Sequence, residues 1–257
     1  MNFQDYLTWY RDVVDKEVEG WFYPIDIIVM YGILKEMQKN IPGDVCEIGV
    51  AYGKSAITVS NFKRSEDNLY LYDIFSQEIY TKCLENVNKF GTPENLVWRI
   101  EDTTNLKHNQ KLFDKPLRFL HIDGCHEHSA VLSDLQFFSH YMVEQGIIVL
   151  DDFNDYEYPG VNSAAIEFSL AKYNVKNWRV FAIGDNKAYM CQKKYVTTYQ
   201  TLLAMFMKNA LQTMNVPFPL PLGLREMLDV NVLMCDSRED WEYKKIVENI
   251  NDKPRIG

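Results

Sequence analysis

Short apolar runs alternate with amphipathic stretches along most of this chain. "DVCEIGV", "NLYLYDI", "NLVWRIED", "LRFLHIDG" and "GIIVLDDF" each read as a buried strand. Between them lie helical patterns: "GKSAITVSNF", "SQEIYTKCLENVNKFG" closed by Gly91, one near 129–143 and one near 161–173. Apolar strands in a βαβ series predict a parallel sheet with helices on both faces. "WRVFAIGDNKAYMCQKK" then holds two strands around a Gly-Asp-Asn turn, a hairpin that makes the last strand antiparallel. The expected fold class is α/β, a Rossmann-like and mostly parallel sheet with this antiparallel hairpin strand at its C-terminal end.

The flanks divide the chain. Residues 3–19 and 24–39 carry apolar positions at helical spacing, and Pro42-Gly43 breaks the chain after them. The expected division is a helical cap over 1–40, a ligand-binding catalytic domain over 41–194, and a helix with a proline-containing tail over 195–257. A helix is expected over 196–216. The tail stays open between a flap, a lid and a contact in a homo-oligomer.

Composition narrows the class. The chain has 257 residues, 47% of them hydrophobic, and a formal net charge of −9. Such a balance argues against a general nucleic-acid binder, which must neutralise many phosphates. The start of the chain lacks the layout of a signal peptide, and no apolar run reaches membrane-spanning length. Five cysteines without a C-x-x-C spacing are expected to be reduced, with Cys46 and Cys83 filling core, in a cytoplasmic protein without a membrane partner.

The candidate chemistry starts at "VCEIGVAYGKSAITVS". A phosphate-binding P-loop needs four residues between its first Gly and the Gly-Lys pair; Gly49 and Gly53 are separated by three. The dinucleotide pattern fails at Ala51. Carboxylates, meanwhile, crowd the strand ends. Glu47 precedes the glycine turn, Asp73 ends the second strand, Glu101 and Asp102 the third, Asp123 the fourth, and Asp151 and Asp152 the fifth. In an open α/β sheet this rim is where ligands bind. Asp73 suits the two hydroxyls of a ribose, and Asp102 suits an adenine amino group. Gly49 and Gly53 let the backbone approach the same ligand, while Glu47 disfavours pyrophosphate. A cationic adenosine ligand fits this set, and S-adenosylmethionine is one. The alternative for each acid is to cap a following helix or face solvent.

Asp123, Asp151 and Asp152 would repel one another on one rim, and a divalent cation would relieve that. All-oxygen ligands point to Mg²⁺, Ca²⁺ or Mn²⁺. His126, three positions after Asp123, can serve as a base near neutral pH; the bland role is a surface histidine at a helix start. His121 and His140 are expected to pack or face solvent. A zinc or iron site using His126 and His128 is a competing reading, although "HEH" is not the H-E-x-x-H pattern.

These residues carry a resemblance. "CEIGVAYGKSA" and "LYLYDI" resemble the first two cofactor motifs of class I S-adenosylmethionine-dependent methyltransferases. "LRFLHIDGCHEHSAVLSDLQFFSHYMVEQGIIVLDDF", continued by "DDFNDYEYPGVNSAAIEF", resembles the core of small-molecule O-methyltransferases related to macrocin O-methyltransferase and the so-called cephalosporin hydroxylases. The likeness covers roughly 41–194.

It implies a cofactor site of Glu47, Gly49, Tyr52, Gly53, Ser55, Asp73 and Asp102. It also implies Mg²⁺ on Asp123, Asp151 and Asp152, with Asp123 and His126 as the catalytic pair. Catechol-type relatives usually carry Asn where Asp152 stands and Lys where His126 stands. Sugar-modifying relatives often carry an acid where Cys125 stands. The implied reaction is methyl transfer to a metal-bound hydroxyl of a small molecule, a sugar or glycosylated metabolite before a catechol-like phenol. Trp9, Tyr10, Trp21, Phe22 and Tyr23 either close over the acceptor or pack as core. The rivals are a metal-independent methyltransferase, an iron- or zinc-dependent oxidoreductase or hydrolase, and a non-catalytic binding module.

Overall fold

The computed structural model describes residues 2–107, 111–213 and 223–235. Nine strands form one sheet in the order β3-β2-β1-β4-β5-β7-β6-β9-β8. The parallel part is β1 (Asp44–Ile48), β2 (Leu69–Asp73), β3 (Leu96–Ile100), β4 (Leu117–Ile122) and β5 (Met142–Leu150). The hairpin expected from the Gly-Asp-Asn turn is β6 (Trp178–Ile183) and β7 (Ala188–Gln192); β7 inserts antiparallel between β5 and β6. Beyond them, β9 (Val230–Met234) pairs parallel to β6 and antiparallel to β8 (Gly223–Met227). No strand was expected there. The prolines of the tail and everything after residue 235 lie outside the described residues.

Side-chain alternation splits the core. Val45, Leu69, Leu71, Ile147 and Val149 pack on one face; Cys46, Tyr70, Tyr72, Ile148 and Leu150 pack on the other. The second face is covered by α6 (His128–Phe138) and α7 (Pro159–Leu170). The first is covered by α4 (Lys54–Phe62), α5 (Gln77–Phe90), α8 (Val196–Thr213) and the N-terminal helices α1 (Phe3–Trp9) and α3 (Pro24–Tyr31), between which the short α2 (Asp15–Glu17) is exposed. The two expected N-terminal helices form with local widening to π-type turns, at Tyr10–Val14 and Gly32–Met37. Tyr6, Tyr10, Ile28 and Leu34 share one apolar cluster with Val45, Ile57 and Leu203, so the N-terminal helices and α8 join the sheet in a common core. Cys46 and Cys83 are buried, as expected. Among the described residues, no helix is long and apolar enough to cross a membrane.

Candidate functional site

The ends of β1, β2, β4 and β5 open into a cavity of about 970 Å³. Its wall includes Gly49, Tyr52, Ser55, Asp73 and Asp102 from the expected cofactor set. It also includes Asp123, His126, Asp151 and Asp152. Two of the set are exceptions: Gly53 faces α5, where a Cβ would lie 2.8 Å from Val87 Cγ2, and the other is Glu47. It is fully buried behind the wall, where it accepts a hydrogen bond from Ser55 Oγ.

Gly49 answers for the glycine turn. Its φ is +79°, and a Cβ there would lie 1.9 Å from the carbonyl oxygen of Asp123. The turn after β1 and the end of β4 therefore touch through backbone alone. Asp73 reads this turn from the side: its Oδ2 accepts from Val50 N at 2.7 Å and Ala51 N at 2.9 Å. The Lys of the Gly-Lys-Ser run has other work. Lys54 Nζ bonds the carbonyl of Gly20 at 2.7 Å and pairs with Asp15 Oδ1 at 2.8 Å. It pins the N-terminal segment over the turn instead of facing a phosphate. That segment divides the expected aromatics: Tyr10 and Phe22 are core, whereas Tyr23 and the 87%-exposed Trp21 line the cavity.

On the far side of Asp73, Asp102 caps a short turn, accepting from Thr104 N and Thr104 Oγ1 at 2.9 and 2.6 Å. Those bonds hold its carboxyl below the usual carboxylate range. Facing the same wall is Asp134, a residue the sequence reading missed. It is 3% exposed, and its Oδ1 has no hydrogen-bond partner. Burial pushes its carboxyl up to about 7.

The acids at the ends of β4 and β5 separate into two environments. Asp152 has φ +54°, so the chain kinks directly after β5. His126 Nε2 lies 3.1 Å from Asp152 Oδ2 and 3.7 Å from Asp123 Oδ1. Asp123, 3.7 Å away, leads in raising the His126 imidazole above its ordinary range, with Asp152 adding to it. Burial and the charge of Asp151 push Asp123 up to about 7. The ring of Tyr158 packs 4.1 Å from the His126 ring.

Asp151 turns inward instead, to the face covered by the N-terminal helices. Its Oδ1 accepts from Lys187 Nζ at 2.5 Å, Asn186 Nδ2 at 3.1 Å and the backbone N of Asp152 at 2.8 Å. Its Oδ2 lies 3.4 Å from His121 Nε2. His121 is paired in register with Glu47 on β1, and its Nδ1 lies 3.5 Å from Glu47 Oε1. Lys187 Nζ also lies 3.3 Å from Asp26 Oδ2 on α3. A buried row of alternating charge thus runs Glu47, His121, Asp151, Lys187, Asp26. Burial opposes charge on His121, but the Asp151 and Glu47 carboxylates beside it prevail and lift it to about 10. Burial would raise Asp151, yet the Lys187 and His121 cations hold it well below the carboxylate range. Asp26, more weakly paired, is lifted by burial to about 6.

His121 was expected to pack or face solvent; it is the centre of this row. Asn186 carried no role beyond the Gly-Asp-Asn turn, and Lys187 none at all. The available signal was a Lys at the mouth of an otherwise apolar strand.

Could these residues hold a divalent ion? One ligand atom each from Asp123, His126 and Asp152 lies within 4.8 Å of the others, and the same holds for His121, Asp123 and Asp151. Asp151 and Asp152 fall in different groups. In the second group, Asp151 already faces two protein cations; in the first, Asp123 and Asp152 remain open to the cavity. The His126–His128 pairing does not form among the described residues. His128 sits at the α6–α7 contact, bonded to Ser163 Oγ at 2.8 Å and Glu167 Oε2 at 3.0 Å.

This order of strands, with an antiparallel β7 and a rim cavity, is the class I methyltransferase fold. Residues 46–153 match a family profile described as a methyltransferase domain. Among solved structures, the O-methyltransferase NovP superposes with a TM-score of 0.54 at 15% identity, over 65% of this chain and 78% of that one. CalS11, a TDP-rhamnose 3'-O-methyltransferase of calicheamicin biosynthesis, gives 0.53 at 12% identity, over 74% and 93%. An O-methyltransferase from Bacillus cereus in complex with SAH gives 0.52 at 13%, over 73% and 88%. No curated protein matches the chain.

Proposed function

We propose that this chain is an S-adenosylmethionine-dependent O-methyltransferase acting on a hydroxyl of a small molecule, a sugar or glycosylated metabolite first. The observation that carries the reading is Asp73. It ends β2 at the cavity wall with Oδ2 fixed by two loop N–H groups, and Oδ1 has no partner among the described residues. An oriented carboxylate beside a glycine turn suits a ribose, and the acidic wall suits a sulfonium. When bound, S-adenosylmethionine supplies a methyl group on a good leaving sulfur.

The chain's own residues do the rest. The tight turn at Gly49 puts its backbone at the cavity wall, while Asp102 and Asp134 offer acceptors on the side away from the glycine turn. His126 takes the acceptor proton; the resulting imidazolium would rest between Asp152 and Asp123, whose charges favour it. Holding the hydroxyl at near-contact distance supplies much of the rate. A Mg²⁺ ion bound by Asp123 and Asp152 would add Lewis acidity at the acceptor oxygen. The sugar preference is supported by the likeness to CalS11 and by Trp21, an exposed ring on the cavity wall suited to packing on a pyranose face.

Calorimetric titration with S-adenosylmethionine tests the reading. Binding is expected for the wild type and is expected to fall about 100-fold for Asp73→Ala, the worth of two hydrogen bonds to a charged group. A wild type that is folded and does not bind would sink it.

A further inference from the structure

The metal expectation placed both acids after β5 on one ion. The geometry points elsewhere: we propose that Lys187 is the permanent counter-cation of Asp151 and keeps Asp151 out of ion coordination. The inference rests on the methyltransferase reading only for the identity of the cavity.

Three observations carry it. The first is saturation. Three donors converge on Asp151 Oδ1, from Lys187, Asn186 and the backbone of Asp152, and the His121 ring stands at Oδ2. Oδ1 is thereby filled and held by a charged partner, and an ion approaching Oδ2 would meet the His121 ring beside it.

The second is that Lys187 has nowhere else to go. It is 1% exposed, and its Nζ sits between Asp151 and Asp26, 5.3 Å from the centre of the Phe22 ring. Asp26 is itself held, accepting from Tyr23 N at 3.2 Å at the start of α3. A divalent ion on Asp151 would stand beside a buried ammonium, a like-charge contact in a medium of low dielectric. The third is the split between the acids: Asp152 and Asp123 converge on His126 at the cavity, while Asp151 groups with His121 and Asp123 and not with Asp152.

Lys187 is therefore a positioning residue. It fixes Asp151, which through its Oδ1 holds the backbone N of Asp152 and so the kink that presents Asp152 to the cavity. The N-terminal helix takes part, because Asp26 is the second carboxylate on the same ammonium.

The test is uptake of Mn²⁺ by the full chain loaded with S-adenosylhomocysteine, read from the loss of the free-ion signal in electron paramagnetic resonance. Asp151→Asn is expected to leave Mn²⁺ affinity unchanged. Lys187→Met, which uncovers Asp151, is expected to raise it by about tenfold or more, and adding Asp151→Asn is expected to remove that gain. If Lys187→Met does not fold, Asp26→Asn/Lys187→Met removes one buried acid with the cation and is read in its place.

A tenfold loss in Asp151→Asn would overturn the proposal, since Asp151 would then be a ligand. So would a folded Lys187 variant without a gain. Calorimetry of S-adenosylhomocysteine on the same samples keeps the two readings apart. Failure there removes the methyltransferase reading, whereas the Mn²⁺ comparison decides the role of Lys187 by itself.

Discussion

Single side chains at the rim differ in what their surroundings let them do. His126 is held by Asp123 and Asp152, so its imidazolium is favoured above the ordinary histidine value of about 6.5. The pairing stabilises the fold below that ordinary value and is lost as pH rises through the raised one. Ring-proton chemical shifts of His126 should thus titrate late in the wild type and earlier in Asp123→Asn, since Asp123 is the leading cause. An unchanged midpoint in the variant would remove the pairing.

Asp134 has the reverse character. Its neutral form suits the buried wall, and the stability this gives is present below the free carboxyl's range and lost as pH rises through about 7. Asp134→Asn should be more stable than wild type above that value, by on the order of 2 kcal/mol, with the gain vanishing in mild acid. Urea unfolding at the two ends of the range reads this directly.

At the scale of elements, the first turn of α4 is a clamp. Lys54 reaches back to Asp15 and Gly20, and Tyr10 Oη donates to the Lys54 carbonyl at 3.0 Å. The stretch that brings Trp21 and Tyr23 to the cavity hangs from this clamp. Lys54→Met should speed amide hydrogen exchange at residues 15–20 by about tenfold, with α5 unaffected. Equal protection in both proteins would mean that packing of Tyr10 and Phe22 alone holds the segment.

The row from Glu47 to Asp26 is also a product of elements. β1, β4, the end of β5, the β6–β7 turn and α3 each contribute one charge, and strand alternation puts them on one face. Had β4 slipped by a single residue, His121 would point to the α6–α7 side.

Across the whole molecule, a second buried pair joins distant parts on the underside of the sheet. Arg118 Nη2 lies 2.8 Å from Asp67 Oδ2, both essentially inaccessible, and Gln38 Nε2 donates to the Arg118 carbonyl at 2.7 Å. The N-terminal helices are thereby fastened at both ends, here and through Asp26. Arg118→Met leaves Asp67 buried with only Arg64 beside it and should cost about 3–5 kcal/mol in urea unfolding. A loss below about 1 kcal/mol would show that Arg64 alone satisfies Asp67.

Short apolar runs, glycine breaks and a hairpin turn were enough to place seven strands and their helices along the chain, because those signals are local. The strand-end position of Asp73 and the placing of Gly49 at a tight turn were legible for the same reason: chain order in an α/β sheet dictates which ends face the ligand. The alternating row was not legible. His121, Asp26 and Lys187 are far apart in sequence, and only the register of β1 on β4 and the docking of α3 bring their charges into one dry space. Strands β8 and β9 were missed because an edge pair lacks the strong apolar signature of a central strand. The chain by itself determined the fold class and the acids available at the rim. Only the tertiary structure decided which of those acids meets a protein cation and which stays open, because charge pairing at a few ångströms depends on distances that sequence spacing does not encode.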